Sequence, residues 1–172
     1  YVDVPFNPIF NLLSFTYSFW INPNTGYGIP DYAGYIDIIS RWGHWGPNTT
    51  AFAFTIRQDG TIAVLIYRLM NPNNYGASEN YSFVYSKETV SVGQWTHIVI
   101  THDANTKITR IYINGKLDTE TMTLTPQSST SYGLRIGNRI DVTQTYLNAK
   151  LDDLRIYSRA LTENDIKQLY NE

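Results

Sequence analysis

Asp118 and Glu120 stand two residues apart just after an Asn114-Gly115 turn. Alternate residues of a strand share a face, so the two carboxylates would point the same way. Glycoside hydrolysis uses such a pair, one group as acid and the other as nucleophile or base. A solvated face on an edge strand is the favoured reading of the spacing over a catalytic pair. Asp152 and Asp153 are adjacent, and neighbours on a strand face opposite ways, which argues against a dyad there. His44, His97 and His102 show no His-x-His or His-x-x-x-His spacing that would gather zinc. His97 alternates with Trp95 and Val99 and reads as a partly buried ring. There is no Gly-x-Ser-x-Gly elbow, and with no cysteine in 172 residues thiolate chemistry and disulfides are excluded. The residues therefore speak against an enzyme.

Binding chemistry is better supplied. Aromatics make up 15% of the chain, with 14 Tyr and 4 Trp, against 16% charged residues. A tyrosine or tryptophan places an apolar face and a polar tip at one point. The segment Trp42-Gly43-His44-Trp45-Gly46-Pro47-Asn48 and the segment Asn71 to Gly76, with Asn73, Asn74 and Tyr75, carry both rings and amides. Ring faces stack on the C–H side of a sugar, and an amide serves neighbouring hydroxyls as donor and acceptor together. Trp45, His44, Trp42, Asn73, Asn74 and Tyr75 are accordingly the expected carbohydrate-binding residues, with Trp45 first among them. Two bland readings stand beside this one: Trp42 capping the core, and the asparagines serving as turn residues. A second cluster, Tyr27, Tyr32 and Tyr35, lies between Asn24 and Tyr35. Net charge is −2 and the basic residues are scattered, so no stripe exists to follow a nucleic-acid backbone. No apolar run reaches the roughly 18 residues of a membrane helix.

The elements that must position these groups are mostly strands. Phe15, Tyr17, Phe19 and Ile21 alternate up to Asn22-Pro23, and Phe52, Phe54 and Ile56 alternate further on. Gln58-Asp59-Gly60 turns the chain into Thr61–Leu69, apolar on both faces as in a strand central to a packed sheet. Trp95–Thr101, Ile108–Ile113, Leu134–Gly137 and Leu151–Tyr157 follow, and the opening Tyr1-Val2-Asp3-Val4 also reads as a strand. Asn114-Gly115 between alternating runs predicts a type I′ hairpin, because both residues tolerate positive φ. Only the end is helical: Thr162 as N-cap, acidic residues in the first turn, then Ile166, Leu169 and Tyr170 on one face. Short strands parted by turn chemistry predict a sandwich.

Four stretches resemble the laminin-G-like jelly rolls of the concanavalin A-like lectin and glucanase group: Phe15 to Pro23, Gly93 to Val99, Ile111 to Lys116, and Leu151 to Thr162. The resemblance implies an all-β, two-sheet antiparallel jelly-roll sandwich with one short C-terminal helix, residues 1–172 forming a single domain within a larger protein. It implies an extracellular or cell-surface setting and a structural Ca²⁺, for which Asp152 matches the acidic position of the closing-strand motif. Asp152 bonding backbone amides without an ion is the alternative. Glucanases of this group carry a third carboxylate where Met122 stands here, and no lyase-type Gln, His, Arg and Tyr run is present. The expectation is a non-catalytic, lectin-like module whose partner is a glycan or polysaccharide. A protein-interaction or architectural module of a surface or virion assembly is the alternative, and a glycosidase or lyase a weaker one, because one fold carries many functions.

Overall fold

The computed structural model describes residues 1–31, 33–41, 52–68, 70, 73–74, 77–126, 132–139 and 145–172. In it eleven strands form two antiparallel sheets, followed by one helix. The six-stranded sheet is built from β1 (Val2–Val4), β3 (Tyr35–Arg41), β4 (Phe52–Arg57), β5 (Thr61–Tyr67), β6 (Tyr81–Thr89) and β10 (Leu134–Ile136), in the order β1-β10-β3-β4-β5-β6. The five-stranded sheet contains β2 (Phe15–Ile29), β7 (Thr96–Asp103), β8 (Ile108–Ile113), β9 (Lys116–Met122) and β11 (Tyr146–Tyr157), ordered β11-β2-β7-β8-β9. The helix α1 spans Glu163–Asn171.

The alternation read from the sequence sets the core. Phe15, Tyr17, Phe19 and Ile21 of β2 face Phe52, Phe54 and Ile56 of β4 and Ile62, Val64 and Ile66 of β5, all essentially inaccessible. Each such side chain contributes about 1.5–3 kcal/mol by leaving water. Ring contacts lock the centre, with Phe52 4.6 Å from Phe54 and Tyr17 edge-on to Phe52 at 5.1 Å. Arg41 is buried at one end of this core and donates to the carbonyls of Tyr132 and Phe10 and to Asn11 Oδ1. A buried guanidinium needs such partners, and here they hold two distant segments together.

On the outer face of the five-stranded sheet, Leu161, Ile166 and Leu169 cover Val99 and Tyr112. The helix starts where expected. Thr162 Oγ1 accepts from the Asp165 amide while the Asp165 carboxylate accepts from the Thr162 amide, a reciprocal capping box. The β8–β9 hairpin also matches, with φ of 51° at Asn114 and 74° at Gly115.

Three expectations need correction. β2 does not end at Asn22-Pro23 but continues to Ile29. Beyond Ile21 it has lost β7 as a neighbour and pairs only with β11, and a proline is tolerated where one edge of a strand is open. β11 begins at Tyr146, earlier than expected, to match that extension. Residues 81–89, which are absent from the strands read in the sequence, form β6.

Candidate functional site

The outward positions of the six-stranded sheet form a groove. Its floor is made of Ala53 and Thr55 from β4 and Ala63 and Leu65 from β5, its walls of Tyr35 and Asp37 on one side and Tyr81 and Phe83 on the other. Asp31, Ala33 and Arg139 complete the lining, and the cavity is about 200 Å³. Small residues on the two middle strands keep the floor low, while rings on the flanking strands rise above it. This is why β5 is apolar on both faces: its second face is the groove floor rather than another packed layer.

Outward residues of β6 form a ladder. Phe83 and Tyr85 lie 6.0 Å apart with planes 6° from parallel, and Tyr81 and Phe83 lie 6.4 Å apart at 20°. Tyr35, from the other wall, has its ring 6.1 Å from Phe83 at 22°. Its hydroxyl is 2.7 Å from that of Tyr85. Burial, and then this bond, push the Tyr35 phenol up to about 12, and the Arg57 guanidinium sits 5.9 Å from the same ring. Phe83 remains 42% exposed, so a large apolar ring faces solvent beside polar groups.

The polar side of the groove is pre-set. Asp31 Oδ1 accepts from the amides of Ala33 and Tyr35, both at 2.9 Å, and Oδ2 accepts from Arg139 at 2.9 Å. The Asp31 and Arg139 side chains are 5% and 13% exposed, so this pair is held by its own turn before any ligand arrives. A carboxylate engaged on both oxygens is poorly placed to serve as an acid or base.

Of the residues expected to bind sugar, Asn73 and Asn74 are exposed in the β5–β6 connection, and neither borders the groove. The Asn74 carbonyl accepts from the Ala77 amide and from Asn80 Nδ2, part of a turn around the buried Asn80. Trp42, His44, Trp45 and Tyr75 lie outside the described residues. Pairing of Arg41 with Phe52, Phe52 with Ile66 and Tyr67 with Tyr81 makes segments 42–51 and 68–80 leave the same end of the sheet, as expected. Tyr35, from the second-choice cluster, is in the groove, while the Tyr27 hydroxyl donates to the Val90 carbonyl.

The other candidates are occupied elsewhere. Asp118 accepts from the amides of Lys87 and Glu88, clasping β9 of one sheet to β6 of the other, and Glu120 pairs with Arg110 at 2.5 Å. Neither lines the groove. His97 is buried, with Nε2 2.8 Å from Ser18 Oγ and its ring beside Trp20 and Tyr170. Burial, the largest cause, depresses it to about 4. Asp152 is exposed and accepts from the next amide, that of Asp153. The alternation invoked for this pair fails locally, because the strand bulges between Asp152 and Arg155 and Asp153 has φ of 49°. Asp153 is nonetheless committed to Arg155, at 2.9 Å. Calcium requires six to eight oxygens, and among the described residues no group of three or more His, Asp or Glu side chains gathers to hold a metal.

Sequence reasoning missed Tyr81, Phe83, Tyr85, Asp31, Asp37 and Arg139. The period-two spacing of the first three was a readable signal; the Asp31–Arg139 pair, 108 positions apart, left none.

With two sheets, a closing helix and an outward groove in place, comparison with known proteins is direct. Residues 1–167 match the family profile described as the concanavalin A-like lectin/glucanases superfamily, laminin G type. The chain belongs to this family. Jeltraxin of Lepidobatrachus laevis is 25% identical over 129 residues, which cover 70% of this chain and 57% of Jeltraxin. The solved binding domain of Paraclostridial Mosquitocidal Protein 1 superposes with a TM-score of 0.68 at 22% identity, over 98% of this chain and 40% of that one. A heptameric SAP-like pentraxin from Limulus polyphemus gives 0.62 at 18%, over 92% and 70%. The botulinum neurotoxin serotype G binding domain gives 0.64 at 20%, over 97% and 37%. At these identities the solved structures establish the jelly-roll fold. The family member thus spans just over half of Jeltraxin and about two fifths of the toxin binding domains. No helix among the described residues is long and apolar enough to cross a membrane.

Proposed function

We propose that this family member is a non-catalytic, carbohydrate-binding module of a secreted or surface protein, and that the groove on the six-stranded sheet is its binding site. The observation that carries the reading is the half-exposed Phe83 ring set beside the Tyr35–Tyr85 hydroxyls and the fixed Asp31–Arg139 pair, over a floor of small side chains. A sugar ring has one apolar face and a rim of hydroxyls, and this surface offers a stacking plane with donors and acceptors at its edges. The lectin-like family and the toxin binding domains of the same fold support a binding role. Trp45, His44, Trp42, Asn73, Asn74 and Tyr75 belong to the segments that join β3 to β4 and β5 to β6, and would add contacts for a longer glycan.

The test is a glycan array probed with the wild-type domain, Phe83→Ala and Trp45→Ala. Loss of signal in Phe83→Ala with unchanged thermal stability supports the groove, and loss in Trp45→Ala supports its extension. A blank array for the wild-type domain refutes the carbohydrate reading in favour of a protein partner. Calcium at Asp152 is a separate proposal, read from the resemblance alone. A calcium-dependent rise in Tm that Asp152→Asn abolishes would support it, and an unchanged Tm would remove it.

A further inference from the structure

The groove has a closed end. Register places Asp37, Thr55, Ala63 and Tyr85 in one row across the sheet, and Ser40, Ala53, Leu65 and Phe83 in the next, with Tyr67 and Tyr81 following away from Tyr35. Tyr35 lies beyond the first of these rows, opposite Arg57. It belongs to β3 and Tyr85 to β6, and two strands separate them. Three strand spacings are about 14 Å, yet the two hydroxyls are 2.7 Å apart. The side chains therefore arch toward each other and meet over β4 and β5, forming a crossbar over the full width of the groove. No atom fits between hydroxyls in hydrogen-bond contact. Arg57 buttresses the Tyr35 ring, and the Tyr35 amide is tied to Asp31, so the bar is anchored at its base.

Granting the carbohydrate reading, on which this step rests, we propose that the groove binds the terminal residue of a glycan chain and not an internal stretch. A chain lying along the floor and reaching the crossbar must stop there. The bar also supplies the chemistry of a stop. Of the two phenolic hydrogens one is spent between the tyrosines, which leaves the other hydrogen and the remaining lone pairs for the extra hydroxyl that only a chain end possesses. Phe83, one row inward, is placed for the ring of that same terminal residue to stack.

The experiment compares intact soluble β-glucan, xylan, mannan and galactan with the same polymers after partial acid hydrolysis. Hydrolysis multiplies chain ends while the mass of sugar stays constant. If ends are the ligand, about a tenfold rise in ends lowers the half-saturating mass concentration about tenfold for the wild-type domain. Tyr85→Ala, which removes the bar, should bind the intact polymer about as well per mass as the hydrolysed one. Equal binding of intact and hydrolysed polymer by the wild-type domain overturns chain-end recognition while leaving the carbohydrate reading standing. Binding to none of these, with a blank array, overturns both.

Discussion

Acid should destabilise this domain through two buried histidines. His97 and His102 are 1% and 0% exposed, and each has one ring nitrogen, Nδ1 and Nε2 respectively, without a hydrogen-bond partner among the described residues. His97 is stacked between Trp20 and Tyr170, with Ser18 on Nε2 and the charges of Asp153 and Arg155 nearby. His102 lies against Phe15, with Thr109 and Thr123 on Nδ1. Burial lowers both from 6.5 to about 4. The unfolded chain therefore binds more protons than the folded one between those values, and stability falls as pH falls through that window. It is fully present above 6.5, and the loss levels off below about 4, where both states are protonated. At 1.36 kcal/mol per pH unit each ring costs about 3 kcal/mol, and the two together approach the ~5–15 kcal/mol of a whole domain. Asp59 and Asp165, held below their ordinary value of 3.8 mainly by backbone amides, lose their contribution only under that pH. The measurement is urea unfolding from pH 7 to 4.5 on the wild-type protein, His97→Gln and His102→Gln. Each variant should lose about half of the pH slope. A flat wild-type profile, or a slope unchanged in both variants, would refute the assignment.

Gly115→Ala should destabilise by about 1–2 kcal/mol, since φ there is 74° and a methyl group would lie 3.1 Å from Tyr170 of the helix; thermal unfolding reads the loss. Thr162→Ala removes one half of the capping box and should cost about 1 kcal/mol in urea unfolding. Asp118→Ala should cost about 1 kcal/mol and, more tellingly, speed hydrogen exchange at the amides of Lys87 and Glu88, which it now clasps. Unchanged exchange at those two amides would mean the clasp is absent in solution.

The elements that sequence reading found are those whose signals are local. The Asn114-Gly115 turn and the Thr162 cap each need only a few neighbouring residues to be stable, and both formed as read. β6 escaped because its pattern is inverted. Its large rings, Tyr81, Phe83 and Tyr85, face outward, while Val84 and Ser86 are its buried residues. An alternation rule that assigns the apolar side to the core has no place for a strand whose apolar side lines an outward groove. The site was legible to the same degree. The groove shares its composition, aromatic rings with polar partners, with the segments singled out in the sequence, and Tyr35 was in view. The crossbar and the Asp31–Arg139 pair depend on which strands become neighbours, and no spacing along the chain encodes that.

The strands around the groove are stitched locally. β3, β4, β5 and β6 are consecutive in the chain and adjacent in the sheet, joined through residues 42–51, 58–60 and 68–80. The five-stranded sheet instead needs its longest strand, β2 at residues 15–29, to wait for β11 at residues 146–157, far later in the chain. Loop closure over such separations is slow. The groove meander therefore assembles ahead of the β2–β11 pair, and the face of β2 awaiting β11 stays open until that strand has been made. Pulse-labelling exchange during refolding should protect the amides of β4 and β5 ahead of those in β11. Protection of β11 first would mean that distant strands, and not the meander, nucleate the domain.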